Sequence, residues 1–215
     1  MAQTGSTSEE IVYSLVGLVG ENTNEELINL LYTSVYNWRA KLIRQNLQKY
    51  GNRTLFEDTI VVPLQLASLS ADCSLELCQY MRTTVKIPQP VLMEGVQPYK
   101  VATPNLGFYM DYIKPEHLMW KKYSKYTSKD LIYTYVNSYI YEIGNNFLES
   151  LSITAIWDRP DLLEDYECES CNPTNKVIPA NMAADIMTAI SQNEIRLYLD
   201  KYNGEIDETN KERQG

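Results

Sequence analysis

The sequence has a single histidine, His117, among its 215 residues. That leaves little room for histidine-based acid–base or nucleophilic chemistry. Glycine is sparse, nine residues scattered along the chain, and no glycine-rich phosphate loop is formed. Four cysteines, Cys73, Cys78, Cys168 and Cys171, are too few for a disulfide scaffold at this length. No apolar run approaches the roughly 18 residues a membrane span needs. The first residues, Met1 to Ser8, are small and polar, with no basic stretch leading into an apolar one. They do not read as a secretory signal, so synthesis and assembly in cytosol are expected. Bases are outnumbered by acids, 19 to 28, for a formal net charge of −9. This argues against broad nucleic-acid coating, which needs surplus Lys and Arg. No catalytic motif is present, so neither an enzyme nor a cofactor is expected.

What is there in excess is tyrosine: 17 Tyr against three Phe. A phenol buries a flat area yet tolerates water at its edge, so tyrosine concentrates at protein–protein contacts. A half-exposed sheet with aromatic cross-strand pairs accounts for it equally well. The charge is uneven too. Residues 158–215 hold 13 acids and six bases, whereas the first 157 residues are nearly balanced. A solvated acidic tail and a surface for a positive partner both fit.

Hydrophobic periodicity predicts one α+β domain over 8–202, helical at 8–50, β-rich at 59–157 and helical at 160–202. A disordered lead over 1–7 and a flexible tail over 203–215 flank it. Ser8 is the expected cap of a helix ending near Val19, and Thr23 with Glu26 has capping-box spacing before a second helix. That second helix, 24–50, presents Leu27, Leu31, Ser34, Val35, Trp38 and Leu42 on one face and stops at Gly51-Asn52. Pro63 marks a bulge or an edge in the first strand region. Strands alternating through Leu131–Val136, Tyr139–Ile143 and Leu151–Trp157, with an Asn137-Ser138 turn, predict a Tyr-rich three-stranded antiparallel meander. Pro179-Ala180-Asn181 opens the last helix, which runs to about Tyr202.

Few constellations could carry chemistry. Cys73-x4-Cys78 and Cys168-x2-Cys171 could hold zinc tetrahedrally, with unligated thiols as the alternative. The acids around Cys168 and Cys171 oppose thiolate formation and hence a redox role. The pairs Glu25-Glu26 and Asp207-Glu208 fit capping and solvation better than catalysis. Two basic–aromatic stretches stand out. One is 39–53, with Trp38, Arg39 and Arg44. The other is Lys114 to Lys129, with Lys121 and Lys122 beside Trp120 and Tyr123. Each could meet phosphate or an acidic neighbour, and each could be a solvated face. A basic loop of one copy meeting the acidic C-terminal quarter of the next is a contact of the kind that closes a ring. With the tyrosines, these give the candidate interface residues Trp38, Arg39, Arg44, Lys121, Lys122, Tyr133, Tyr135, Tyr139, Tyr141 and Trp157. The same cysteines and basic stretches support an alternative, a small zinc- or nucleic-acid-binding regulatory module.

Several stretches carry a family resemblance. They are Asp72-Cys73-Ser74-Leu75-Glu76-Leu77-Cys78, Met81 to Val91, the Tyr-rich 131–157 region, Ile156-Trp157-Asp158-Arg159-Pro160, and Ile178-Pro179. Trp38 to Gln45 belongs with them. Over residues 24–200 the chain resembles virion structural proteins of crAss-like bacteriophages. The resemblance implies a structural subunit without enzymatic activity, in the phage neck, as an adaptor or ring protein joining portal to tail. It implies a homo-oligomeric ring of twelve copies. Its implied partners are the portal protein and other neck or tail ring proteins, with packaged double-stranded DNA passing nearby. No membrane is involved, and the implied location is the virion, assembled in the host bacterial cytoplasm.

Overall fold

In the computed structural model the described residues are 5–19, 24–51, 53–54, 56–68, 79–118, 131–144, 147–166 and 178–201. The chain divides into two compact units, Met1–Asn52 with Pro173–Gly215, and Arg53–Asn172. The α+β class holds, with helices in the first unit and a mixed sheet in the second.

In the first unit, α1 (Ser8–Val19) buries Ile11, Val12, Leu15 and Val19 at helical spacing. Its cap is Thr7 rather than Ser8. The Thr7 Oγ1 accepts from the Glu10 amide at 3.2 Å, and the Thr7 amide donates back to Glu10 Oε2 at 3.0 Å. That is a reciprocal capping box shifted one residue from the expected position. The lead predicted to be disordered is paired at its end. There β1 (Gly5–Ser6) lies antiparallel to β9 (Ile178–Pro179). The second helix, α2 (Glu25–Tyr50), is capped by Asn24, whose side chain accepts from the Leu27 amide at 2.7 Å. The expected cap residue, Thr23, lies outside the described residues. At the other end Gly51 takes φ 68° and donates its N–H to the Leu47 carbonyl. This is the left-handed stop that glycine permits.

The buried stripe of α2 runs through Leu27, Leu31, Val35, Arg39, Ile43 and Leu47. Steps of four overshoot a full turn by about 40° each, so the stripe winds around the helix. Trp38 and Leu42, expected on the buried face, therefore end only half-buried. The last helix, α3 (Ala180–Ile190), buries Met182, Ala183, Ile186 and Ile190. A π-helical turn at Ser191–Ile195 follows, and helix continues to 201. The turn widens one step to five residues, which returns Ile195 to the buried side. Leu197, two residues further on, is left exposed. The three helices pack pairwise on one another.

The second unit holds β2 (Asp58–Ser68), β3 (Gln79–Thr83), β4 (Tyr99–Ala102), β5 (Asp111–Tyr112), β6 (Ile132–Val136), β7 (Tyr139–Ile143) and β8 (Ser150–Ala155). Their order is β4-β8-β2-β3-β7-β6-β5. The hairpin of β6 and β7 forms as expected, with Asn137 and Ser138 both at positive φ. The meander does not continue into a third strand. Instead, β8 pairs with β2 and β4, and β7 takes β3 as its second neighbour. Alternation reports which faces a strand buries, not which strand lies beside it. Pro63 sits where β2 leaves β8 and takes up β3, the place where a missing donor disrupts the ladder least.

The two ends of this order meet. The segment leading into β5 bonds back to β4: Met110 N to Val101 O at 2.8 Å and Thr103 N to Phe108 O at 2.9 Å, with a bridge between Ala102 and Tyr109. A few residues on, β5 runs parallel to β6. The sheet thus closes on itself into a barrel. Inside lie Ile60, Val62, Tyr99, Val101, Tyr133, Ile140, Leu151, Ile153 and Trp157. Following the strand directions, one end of the barrel carries the β6–β7 turn and the exits of β3 and β8. The opposite end carries the 103–110 connection and the β7–β8 connection.

Candidate assembly surface

The candidate interface residues fall into three groups. Tyr133, Tyr141 and Trp157 are buried within the chain, which takes them out of any outward-facing patch. The Tyr133 hydroxyl donates to the Tyr99 carbonyl at 2.7 Å, and the Trp157 indole N–H donates to the Asp58 carbonyl at 3.1 Å. Their polar tips are satisfied internally, so burial costs little and the rings serve as core. Tyr135 and Tyr139 are half-buried. The first stacks tilted against Tyr99 with ring centroids 5.1 Å apart, and the second lies 4.5 Å beneath the Arg82 guanidinium. Trp38 is half-buried on α2, its indole N–H donating to Glu194 Oε1 at 3.1 Å, with the Lys41 ammonium 4.0 Å from its ring. Arg39 is buried in the α2 stripe, whereas Arg44 is exposed. Lys121 and Lys122 lie outside the described residues, as does most of the Lys-rich stretch. His117 is exposed on a single turn of 3-10 helix, Pro115–His117.

Among the described tyrosines Tyr36, Tyr99, Tyr133 and Tyr141 are buried, whereas Tyr13, Tyr50 and Tyr109 are exposed. Burial, reinforced by neighbouring tyrosines, pushes the Tyr99 phenol well above its ordinary value. Burial, opposed by the bond from Gln97 and aided by Tyr112 and Asp111, pushes Tyr133 up to about 12. A group that ionises only that far above neutrality is a neutral hydrogen-bonding wedge, not an acid or base for chemistry.

The exposed apolar groups lie elsewhere. At one barrel end, the turn between β4 and β5 displays Leu106, Phe108 and Tyr109, with Phe108 74% and Tyr109 64% exposed. The turn is tightly held. Thr103 Oγ1 accepts from the Phe108 amide at 2.9 Å, and a Cβ on Gly107 would meet that oxygen at 3.2 Å. Phe147, 92% exposed, belongs to the β7–β8 connection at the same end. Two of the chain's three phenylalanines are therefore outside. Scarcity itself is the signal in hindsight: phenylalanine lacks the hydroxyl that lets tyrosine face water. At the opposite end Val85, Leu92, Val96 and Leu162 are exposed. There an open cleft of about 300 Å³ is lined by Lys86, Ile87, Pro88, Gln89, Leu162 and Tyr166. Exposed apolar groups gathered at a barrel end are candidates for contact.

Charge on the second unit is locally balanced around Glu57, whose largely buried carboxylate pairs with Lys100 at 2.7 Å and Arg53 at 3.3 Å. No cluster of His, Cys, Asp or Glu among the described residues could hold a metal. All four cysteines lie outside the described residues. No helix among the described residues is long and apolar enough to cross a membrane.

The arrangement offers surfaces for assembly, and comparison with known proteins points the same way. A protein family described as phage tail ring protein 2 matches residues 10–214. No curated protein matches the chain.

Proposed function

The chain belongs to the phage tail ring protein 2 family, a structural family of crAss-like phages, and on that premise we propose that it is an adaptor subunit of the neck. In this reading identical copies form a closed ring between portal and tail, twelve to a ring, surrounding the path of the DNA. The single observation that carries the reading is the family match over nearly the whole chain. The closed barrel supports it. A ring subunit under assembly must present fixed surfaces, and a sheet closed on itself leaves less backbone open to stray strands than an open one. The net charge of −9 supports a DNA path as well, because like charge lets phosphate slide without sticking.

Native mass spectrometry or light scattering on the full-length protein, with and without the portal protein, tests the proposal. A cyclic assembly that associates with portal or tail proteins is the expected result. A chain that stays monomeric and joins neither would overturn it.

A further inference from the structure

We propose that copies join through the barrel unit end to end, Phe108 and Tyr109 of one copy seating in the cleft formed by Ile87, Pro88, Leu162 and Tyr166 of the next. The inference rests on the ring reading and names its contact. A ring of identical copies needs two different, mutually complementary patches on each copy, because a head-to-tail contact closes by rotation. The topology places the two candidate patches at opposite ends of one barrel.

The projecting patch is already ordered. The bond from Phe108 N to Thr103 Oγ1 and the bond from Thr103 N to Phe108 O fix the turn before any partner arrives. Ordering costs that would otherwise weaken association are met on folding. The Phe108 side chain carries no polar atom that would favour its residue's 74% exposure. The receiving patch has room for an aromatic side chain, being about 300 Å³. One wall is also fixed, by the Tyr166 hydroxyl donating to the Lys86 carbonyl at 2.7 Å.

Charge selects a second copy as the occupant. Asp111 is exposed two residues beyond Tyr109, on the same outward side of the strand, since Met110 between them is buried. Lys86 is exposed at the rim of the cleft. Phe108 and Tyr109 entering the cleft would bring an acid on the projecting end towards a base on the receiving end. The charged side chain of the cleft, Lys86, is exposed, so it is not the buried polar anchor a small-molecule site uses.

The test uses the full-length chain carrying Phe108→Asp or Leu162→Asp, both exposed positions whose change leaves the core intact, checked by thermal unfolding. Assembly is followed by light scattering, alone and with the portal protein. Each variant should raise the concentration for half-assembly by at least roughly tenfold. An equimolar mixture should give heterodimers that grow no further, because only one intact projection and one intact cleft can meet. If either variant builds rings as the parent does, or if the mixture stays monomeric, the contact is wrong and the ring role stands. If the parent itself forms no ring under either condition, the ring role fails and the contact falls with it.

Discussion

The Tyr133 hydroxyl donates to the Tyr99 carbonyl at 2.7 Å and accepts from Gln97 Nε2 at 3.2 Å, tying β6 to β4 across the barrel interior. The two strands stand far apart in the order of the sheet, so this bond exists only because the sheet closes. Tyr133→Phe keeps the ring and removes the bond. A loss of about 1–2 kcal/mol in urea unfolding is expected. An unchanged midpoint would show that the hydroxyl contributes nothing to closure.

The same residue sets a response to alkali. Its folded value of about 12 lies above the ordinary 10.0, so folding favours the protonated phenol. The associated stability is complete below pH 10.0 and is lost as pH rises through about 12. Tyr99 is raised further by burial and acts in the same direction. The part of the tyrosinate absorbance that comes from these two buried phenols should rise together with unfolding across that window, with a shallower pH slope in Tyr133→Phe. A full tyrosine titration near pH 10 with the fold intact would contradict this.

Ser138 holds φ 67° in the two-residue turn between β6 and β7, a region that disfavours side chains. Ser138→Gly should stabilise the protein by about 0.5–1 kcal/mol, the strain relieved exceeding the entropy that glycine adds to the unfolded chain. Denaturant unfolding measures the sign directly, and a destabilised variant would assign the serine side chain a further role.

Thr7 and Glu10 exchange hydrogen bonds at the start of α1. Thr7→Ala should cost about 1 kcal/mol, and amide exchange should quicken in the first turn of that helix. Glu10→Gln should be milder, because a glutamine oxygen can still accept from the Thr7 amide. Equal protection in parent and Thr7→Ala would rule out the capping box as a stabilising device.

Trp38 is joined to Glu194 by a hydrogen bond to a carboxylate, between α2 and the π-helical turn. Trp38→Phe retains an aromatic ring beneath Lys41 but loses that bond, at an expected cost of about 1–2 kcal/mol. Thermal unfolding reads the cost. A variant as stable as the parent would mean the turn is held by packing alone.

Much was legible in the linear chain because it depends on neighbours within a few residues. Spacing located α1, α2 and the last helix to within a residue or two, and Gly51 marked the end of α2. The Asn137-Ser138 turn and its two strands were equally local. The single histidine and the scattered glycines offered no catalytic motif, and the structural role came from the family resemblance, which the family match supports. What distant residues decide was not legible. Strand alternation could not say that β8 turns away from β7 to join β2 and β4, because alternation is the same beside any partner. It could not show that β4 and the lead-in to β5 meet, which sends Tyr133 and Trp157 inward and leaves Phe108 outside. Tyrosine suits a core and a contact surface alike. Only closure of the barrel, by satisfying those phenol and indole groups internally, decided between them.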